Sequence, residues 1–97
     1  MSGSIHTGKV FKLDNGDIFI VHKILKSRIP GEKRGKYYTE FVARRLTRGD
    51  SEYIVMRLTV DEMKRYMNNL TDIELAKLDL LGIRYNRNLK KIKKVRL

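Results

Sequence analysis

The chain has 97 residues, with 22 lysines and arginines against 11 aspartates and glutamates, for a formal charge of +11. A chain of this length forms one small domain and buries only roughly 60 to 65% of its unfolded surface, which excludes a large enzyme with a deep, water-free pocket. The absence of cysteine excludes disulfides, thiolate catalysis, Cys-ligated zinc and iron–sulfur clusters.

Thr7 to Leu13 and Ile18 to Lys26 are two runs rich in β-branched and aromatic residues, separated by Asp14-Asn15-Gly16-Asp17. Asn-Gly supplies the two positive-φ positions of a type I′ turn, so the spacing predicts a two-residue hairpin. In that register Leu13 faces Ile18 and Phe11 faces Ile20 on one side, while Lys12 faces Phe19 and Val10 faces Val21 on the other. Both sides then carry apolar groups, so the second must be covered by barrel closure, a helix or a partner subunit.

Ser27 to Lys36 reads as a basic loop, with Pro30-Gly31 suited to a type II turn and Gly35 as a second breaker. Tyr37 to Thr47 and Glu52 to Val60 form a second strand pair joined by Arg48-Gly49-Asp50-Ser51. With Gly49-Asp50 as a two-residue loop, Phe41 faces Leu58 and Ala43 faces Met56. Arg44, Val55, Val42, Arg57, Leu46 and Tyr53 then gather on the opposite side.

Thr59-x-x-Glu62 is a capping box that opens a helix with the apolar stripe Val60, Met63, Tyr66 or Met67, and Leu70. Thr71-x-x-Glu74 repeats the box and starts a second helix with Ile73, Leu75, Leu78 and Leu81, stopped by Gly82 as the residue after the cap. Residues 1–83 are expected to form a single domain and residues 84–97 a basic tail. That tail carries Arg84, Arg87, Lys90, Lys91, Lys93, Lys94 and Arg96 without an acid, interleaved with Leu89, Ile92, Val95 and Leu97. Its pattern fits a short helix, a terminal strand or a segment that orders only on a polyanion.

The charge is segregated along the chain, with +6 over residues 1–60, −2 over 61–83 and +7 over 84–97. The positive field therefore belongs to the strands, their loop and the tail, the asymmetry expected of a polyanion-binding surface; a basic surface that serves solubility alone is the plainer alternative. Single-stranded nucleic acid needs flat rings to stack bases and cations to track phosphates, and Tyr37, Tyr38, Phe41, Tyr53, Arg44, Arg45 and Arg57 offer both on adjacent strands. Of these, Tyr38, Arg44, Tyr53 and Arg57 fall opposite the expected core and are the expected binding residues, with Phe41 and one of the tyrosine pair open to a core role instead. Lys33, Arg34 and Lys36 around Gly35 suit a loop that follows a phosphate backbone, or simply a solvated one. Arg87, Lys90, Lys91, Lys93 and Lys94 of the tail would contact phosphates with a steep salt dependence. A membrane-surface role for the tail is disfavoured, because it holds no Trp or Phe to anchor in the interface.

No catalytic or metal site emerges. His6 and His22 are the only imidazoles, without a His-x-His pair, and in the predicted register Lys9 lies opposite His22. Asp14 and Asp17 flank a turn, while Asp61, Glu62, Asp72 and Glu74 occupy helix first turns, where carboxylates complement the macrodipole. Glu62-Met63-Lys64 is similar to the acidic-x-Lys piece of metal nucleases but falls on a helix, with no acidic partner on a preceding strand. No run approaches the roughly 18 consecutive apolar residues of a membrane span, and Met1-Ser2-Gly3-Ser4 lacks a leader pattern, so a cytoplasmic location is expected.

The order strand, strand, basic loop, strand, strand, then a helix entered through Tyr53-Ile54-Val55-Met56-Arg57-Leu58-Thr59-Val60-Asp61-Glu62-Met63, resembles the positive-cofactor-four-like family of small single-stranded-DNA-binding proteins. The resemblance spans residues 8–70 in element order. It implies a curved four-stranded sheet before one helix, a dimer and single-strand binding; the second helix and the tail depart from it. The short Lys/Arg/Ile/Tyr-rich, cysteine-free chain also looks like small proteins of viruses infecting hot-acid archaea, which implies a host-cytoplasm location. The lack of Trp and Gln is compatible with a hot-adapted source.

The sequence thus predicts an α+β domain, with a curved or partly closed four-stranded antiparallel sheet followed by two short helices and the basic C-terminal tail. Strands apolar on both sides predict a homodimer. The expected function is a non-enzymatic nucleic-acid-binding protein without cofactor or metal, preferring single-stranded DNA or RNA. A protein-interaction module, such as a small viral inhibitor or adaptor, and a metal-independent ribonuclease working with Tyr, Arg and Lys are the alternatives.

Overall fold

The computed structural model describes residues 5–32, 35–47 and 52–83. Four strands, β1 (Val10–Lys12), β2 (Ile18–Pro30), β3 (Tyr37–Arg45) and β4 (Tyr53–Leu58), lie side by side in chain order as one antiparallel sheet. Among the described residues the sheet is open, with β1 and β4 as its edges. Helices α1 (Val60–Asn68) and α2 (Asp72–Leu80) follow, so the class is α+β as expected. No helix among the described residues is long and apolar enough to cross a membrane.

The first hairpin differs from the predicted register by one residue: Val10 pairs with Ile20, Phe11 with Phe19 and Lys12 with Ile18. The Leu13 N–H donates to the Asp17 carbonyl at 2.9 Å across a three-residue loop, Asp14 to Gly16, in which Gly16 takes φ +99°. Asn15 accepts from the Asp17 N–H at 2.9 Å and stabilises that loop. A three-residue loop closed by a positive-φ glycine uses the same Asn-Gly signal as the two-residue turn, and the one-residue slip exchanges the faces. Phe11 and Phe19 therefore stack on the same side, ring centres 5.8 Å apart, and Phe41 meets Phe11 edge-on at 5.9 Å.

The second hairpin is shifted by two residues from the predicted register, with Phe41 opposite Met56, Val42 opposite Val55 and Arg44 opposite Tyr53. An even shift preserves the faces, so Phe41, Ala43, Met56 and Leu58 turn inward as expected. Strand β2 runs on through Pro30, four residues into the predicted loop, and shows three register shifts against β3, at Val21/Lys23, Ile24/Lys26 and Lys26/Ile29. Each places one extra residue on β2, which bends the strand and raises its twist.

Both capping boxes form. The Thr59 hydroxyl accepts from the Glu62 N–H at 3.0 Å while the Glu62 carboxylate accepts from the Thr59 N–H at 2.9 Å, and Thr71 and Glu74 repeat the exchange. Helix α2 ends with Gly82 at φ +76°; its N–H donates to Asp79 and that of Ile83 donates to Leu78, which satisfies the last carbonyls.

The two helices do not share a face. Met63, Tyr66 and Met67 of α1 pack with Phe11, Phe19, Val21, Phe41, Ala43 and Leu58 in the main core. Leu75 and Leu78 of α2 pack on Val10 and Ile20, on the other side of the sheet. Adjacent residues of β1 thus feed two cores, and the second apolar face at this end is covered within the chain. Ile73 and Leu81, expected to be inward, are instead exposed, at 69% and 72%. The stripe that α2 buries is the narrower Leu75–Leu78 pair.

Candidate nucleic-acid interface

Helix α2 covers the outer sheet face only over β1 and the start of β2. The rest of that face is built from rows that run across three strands. Ile20, Arg44 and Tyr53 form one row, Lys23, Val42 and Val55 the next, Lys26, Glu40 and Arg57 a third, and Ile29 with Tyr38 a fourth. Side chains alternate along a strand, so Tyr38, Glu40, Val42 and Arg44 share this face while Thr39, Phe41 and Ala43 are buried on the opposite one.

The structure brings Tyr38, Arg44, Tyr53 and Arg57 together on this open face, as expected. Their availability differs. Tyr53 is 51% exposed and its ring meets His22 edge-on, centres 5.0 Å apart. Arg44 is half-buried between Ile20 and Tyr53 and makes no ion pair among the described residues. Arg57 is exposed, and its Nε donates to Glu40 Oε2 at 3.3 Å, which ties one side of the guanidinium. Tyr38 is half-buried, its ring lying directly over Gly31; a β-carbon there would overlap the ring. Lys36 is exposed at the end of the β2–β3 connection, where its carbonyl accepts from the Gly31 N–H at 2.8 Å. Lys33, Arg34, Arg87, Lys90, Lys91, Lys93 and Lys94, together with the Arg48-Gly49-Asp50-Ser51 turn and the tail, lie outside the described residues.

Three other members of the basic-aromatic set take different places. Phe41 is fully buried in the core. Tyr37 lies beneath Arg28, whose guanidinium carbon sits 4.4 Å from the ring centre. Arg45, next in sequence to Arg44, faces inward over Phe19 and donates to Asp17 at 2.6 Å and Glu52 at 3.1 Å. Burial disfavours its charge, but the hydrogen bonds and charges of Asp17 and Glu52 outweigh this and hold its pKa above the ordinary value. Arg45 is a tie between hairpins.

Sequence reasoning missed Lys23 and Lys26. Simple alternation from Ile20 puts Lys23 on the core side, but the extra residue at the Val21/Lys23 shift sets His22 and Lys23 both opposite Val42, on the open face. The local excess of charge is then Lys23, Lys26, Arg44 and Arg57 against Glu40 alone. Cations beside an exposed phenol ring can hold phosphates and stack a base.

A shallow, open cleft is lined by Lys12, Leu13, Asp14 and Asn69. Its polar groups are already engaged: Lys12 with Glu74 at 2.8 Å, Asn69 with Asp14 at 3.1 Å, and Arg65 with Asp14. Burial disfavours the Glu74 carboxylate, yet the hydrogen bonds from Lys12 and Thr71 and the Lys12 charge together hold its pKa below the ordinary value. Among the described residues no group of three or more His, Asp or Glu side chains is placed to hold a metal ion. No family model, curated protein or solved structure matches the chain.

Proposed function

We propose that the chain is a non-enzymatic nucleic-acid-binding protein that takes single strands on the open outer face of its sheet, with the basic tail adding phosphate contacts. The observation that carries this reading is the row order on that face. Exposed Tyr53 stands beside Arg44, and Lys23, Lys26 and Arg57 follow at successive rows, with one carboxylate among them. Rows about 4.8 Å apart between strands and roughly 7 Å apart along them give a cationic track that a flexible sugar–phosphate chain can follow while a base stacks on Tyr53. A rigid duplex gains less, because its bases are not free to stack.

Fluorescence anisotropy with labelled single-stranded and duplex oligonucleotides, at low and moderate salt, tests the reading on the full chain and on a chain ending at Gly82. Single-strand binding that survives removal of the tail and falls steeply with salt supports the face as the site. Binding that vanishes with the tail, or never appears, refutes it.

A protein-interaction module is the second reading. Its support is the exposed apolar set on α2, Ile73, Leu80 and Leu81, with Leu80 at 86%. A salt-insensitive complex that is lost on replacing Leu80, with no affinity for oligonucleotides, would favour it.

A further inference from the structure

The two edges of the sheet are treated differently. Strand β1 is three residues long, and the Asn69 side chain donates to the Lys12 carbonyl at 2.8 Å on its outer side. Strand β4 has six residues, Tyr53–Leu58, pairs with β3 without a bulge and contains no proline or lysine. These are devices that normally blunt an exposed edge, and among the described residues β4 has none of them beyond the charge of Arg57.

The hydrogen-bond alternation fixes which backbone groups are free. The Arg45 N–H donates to the Glu52 carbonyl at 2.9 Å, so every second pair along this ladder is a bonded one. Ile54, Met56 and Leu58 therefore direct their N–H and C=O groups at β3, and Tyr53, Val55 and Arg57 direct theirs outward. Nothing among the described residues takes up those three outward pairs. The same three residues place their side chains on the open face, with Val55 at 57% exposure.

We infer that two copies of the chain pair edge to edge through β4, antiparallel about a two-fold axis at Val55. In this register Val55 stands opposite the partner's Val55, and Tyr53 opposite the partner's Arg57. All three outward residues form bonded pairs, and no free donor or acceptor is left between Tyr53 and Arg57. The charges agree with the register. Arg57 is the one charged residue of β4, and the axis puts it over an aromatic ring, a cation–π arrangement, instead of against a second arginine. On the inner side Ile54 and Met56, both half-buried beside the main core, meet across the seam and lose their remaining exposure. Such isologous pairing closes after two copies and joins the sheets into one of eight strands, with both open faces on the same side. The inference does not depend on nucleic-acid binding; where both hold, the binding track runs across the axis.

The test is sedimentation equilibrium of the full chain at high salt, without nucleic acid, against Val55→Pro and Val55→Lys. The Val55 N–H points away from β3, so proline at 55 removes no bond inside the monomer and is tolerated at such an edge position, whereas lysine sets two like charges directly opposite each other. The expected result is a wild-type mass twice the 11.4 kDa of the chain and monomeric variants with unchanged far-UV circular dichroism. If Val55→Pro fails to fold, Val55→Lys decides alone. A wild-type chain that stays monomeric across the accessible concentration range, or a Val55→Lys chain that sediments as a dimer like the wild type, overturns the proposal.

Discussion

The side-chain amide of Asn69, the cap residue at the end of α1, donates to the main-chain carbonyl of Lys12 at 2.8 Å, so a helix terminus closes the outer edge of β1. The same nitrogen reaches Asp14 at 3.1 Å. Asn69→Ala removes both bonds and leaves the carbonyl beside an apolar methyl group. The expected loss is about 1–2 kcal/mol, a fall in Tm of several degrees for a domain of this size. Thermal unfolding measures it, and oligonucleotide affinity at low temperature should not change.

Arg44 and Arg45 are sequence neighbours with opposite tasks, and alanine at each position separates them. Arg44→Ala removes a cation from the open face and should weaken single-strand binding roughly tenfold, about 1.5 kcal/mol, while flattening the slope of log affinity against log salt by about 0.7. Arg45→Ala breaks the ties to Asp17 and Glu52 and should lower Tm without changing that slope. Anisotropy titrations and melting curves on both variants give the comparison; an unchanged slope for Arg44→Ala counts against the sheet-face reading.

Tyr53→Ala removes the exposed ring that stands beside Arg44. Loss of one stacked base corresponds to about 1–3 kcal/mol in single-strand affinity, with the salt slope preserved because no charge is removed. Tyr53→Phe should retain the affinity. Both are read in the same titration.

Glu40 restrains Arg57 and is the only acid on the face among the described residues. Glu40→Gln should therefore raise affinity for single strands and steepen the salt dependence, an improvement from a change that deletes an ion pair. The pair is exposed on the arginine side, so its loss costs the fold little.

Glu74, held below its ordinary pKa of 4.5, contributes stability that is fully present above that value and is lost as pH falls through its lower folded-state pKa. Glu74→Gln should lower stability at neutral pH and shrink the further loss below pH 4.5, as followed by denaturant midpoints across that range. Lys12→Met tests the partner and should bring the Glu74 titration back toward its ordinary position.

What the sequence disclosed follows how local the determinants are. Thr59 with Glu62, Thr71 with Glu74, and Gly82 each act within one helical turn, and the structure places all of them as read. The Asn15-Gly16 pair announced a hairpin, but the choice between a two-residue and a three-residue loop depends on which partner Phe11 finds across the sheet, and Phe19 prevailed over Ile20. The faces of β3 and β4 were legible because an error of two residues leaves the alternation intact. Lys23 was not, since the extra β2 residue at the Val21/Lys23 shift leaves no mark in the spacing of side chains, whereas Lys26 keeps the alternation from Ile20 after two shifts cancel. The inward side of Arg45 follows from alternation with Phe41 and Ala43, but its tie to Asp17, 28 residues away, left no local sign.

Because the chain passes from α1 to α2 around β1, the second helix is a latch on the finished sheet. Its buried anchor is Leu78 over Val10 and Ile20, and none of the packing among Phe11, Phe19, Phe41 and Met63 depends on it. The latch can lift while every strand keeps its hydrogen bonds, so amides of Asp72–Leu80 should exchange with solvent through a partial opening of lower free energy than the one that frees β2 and β3. The molecule then comes apart in two steps, the latch before the sheet.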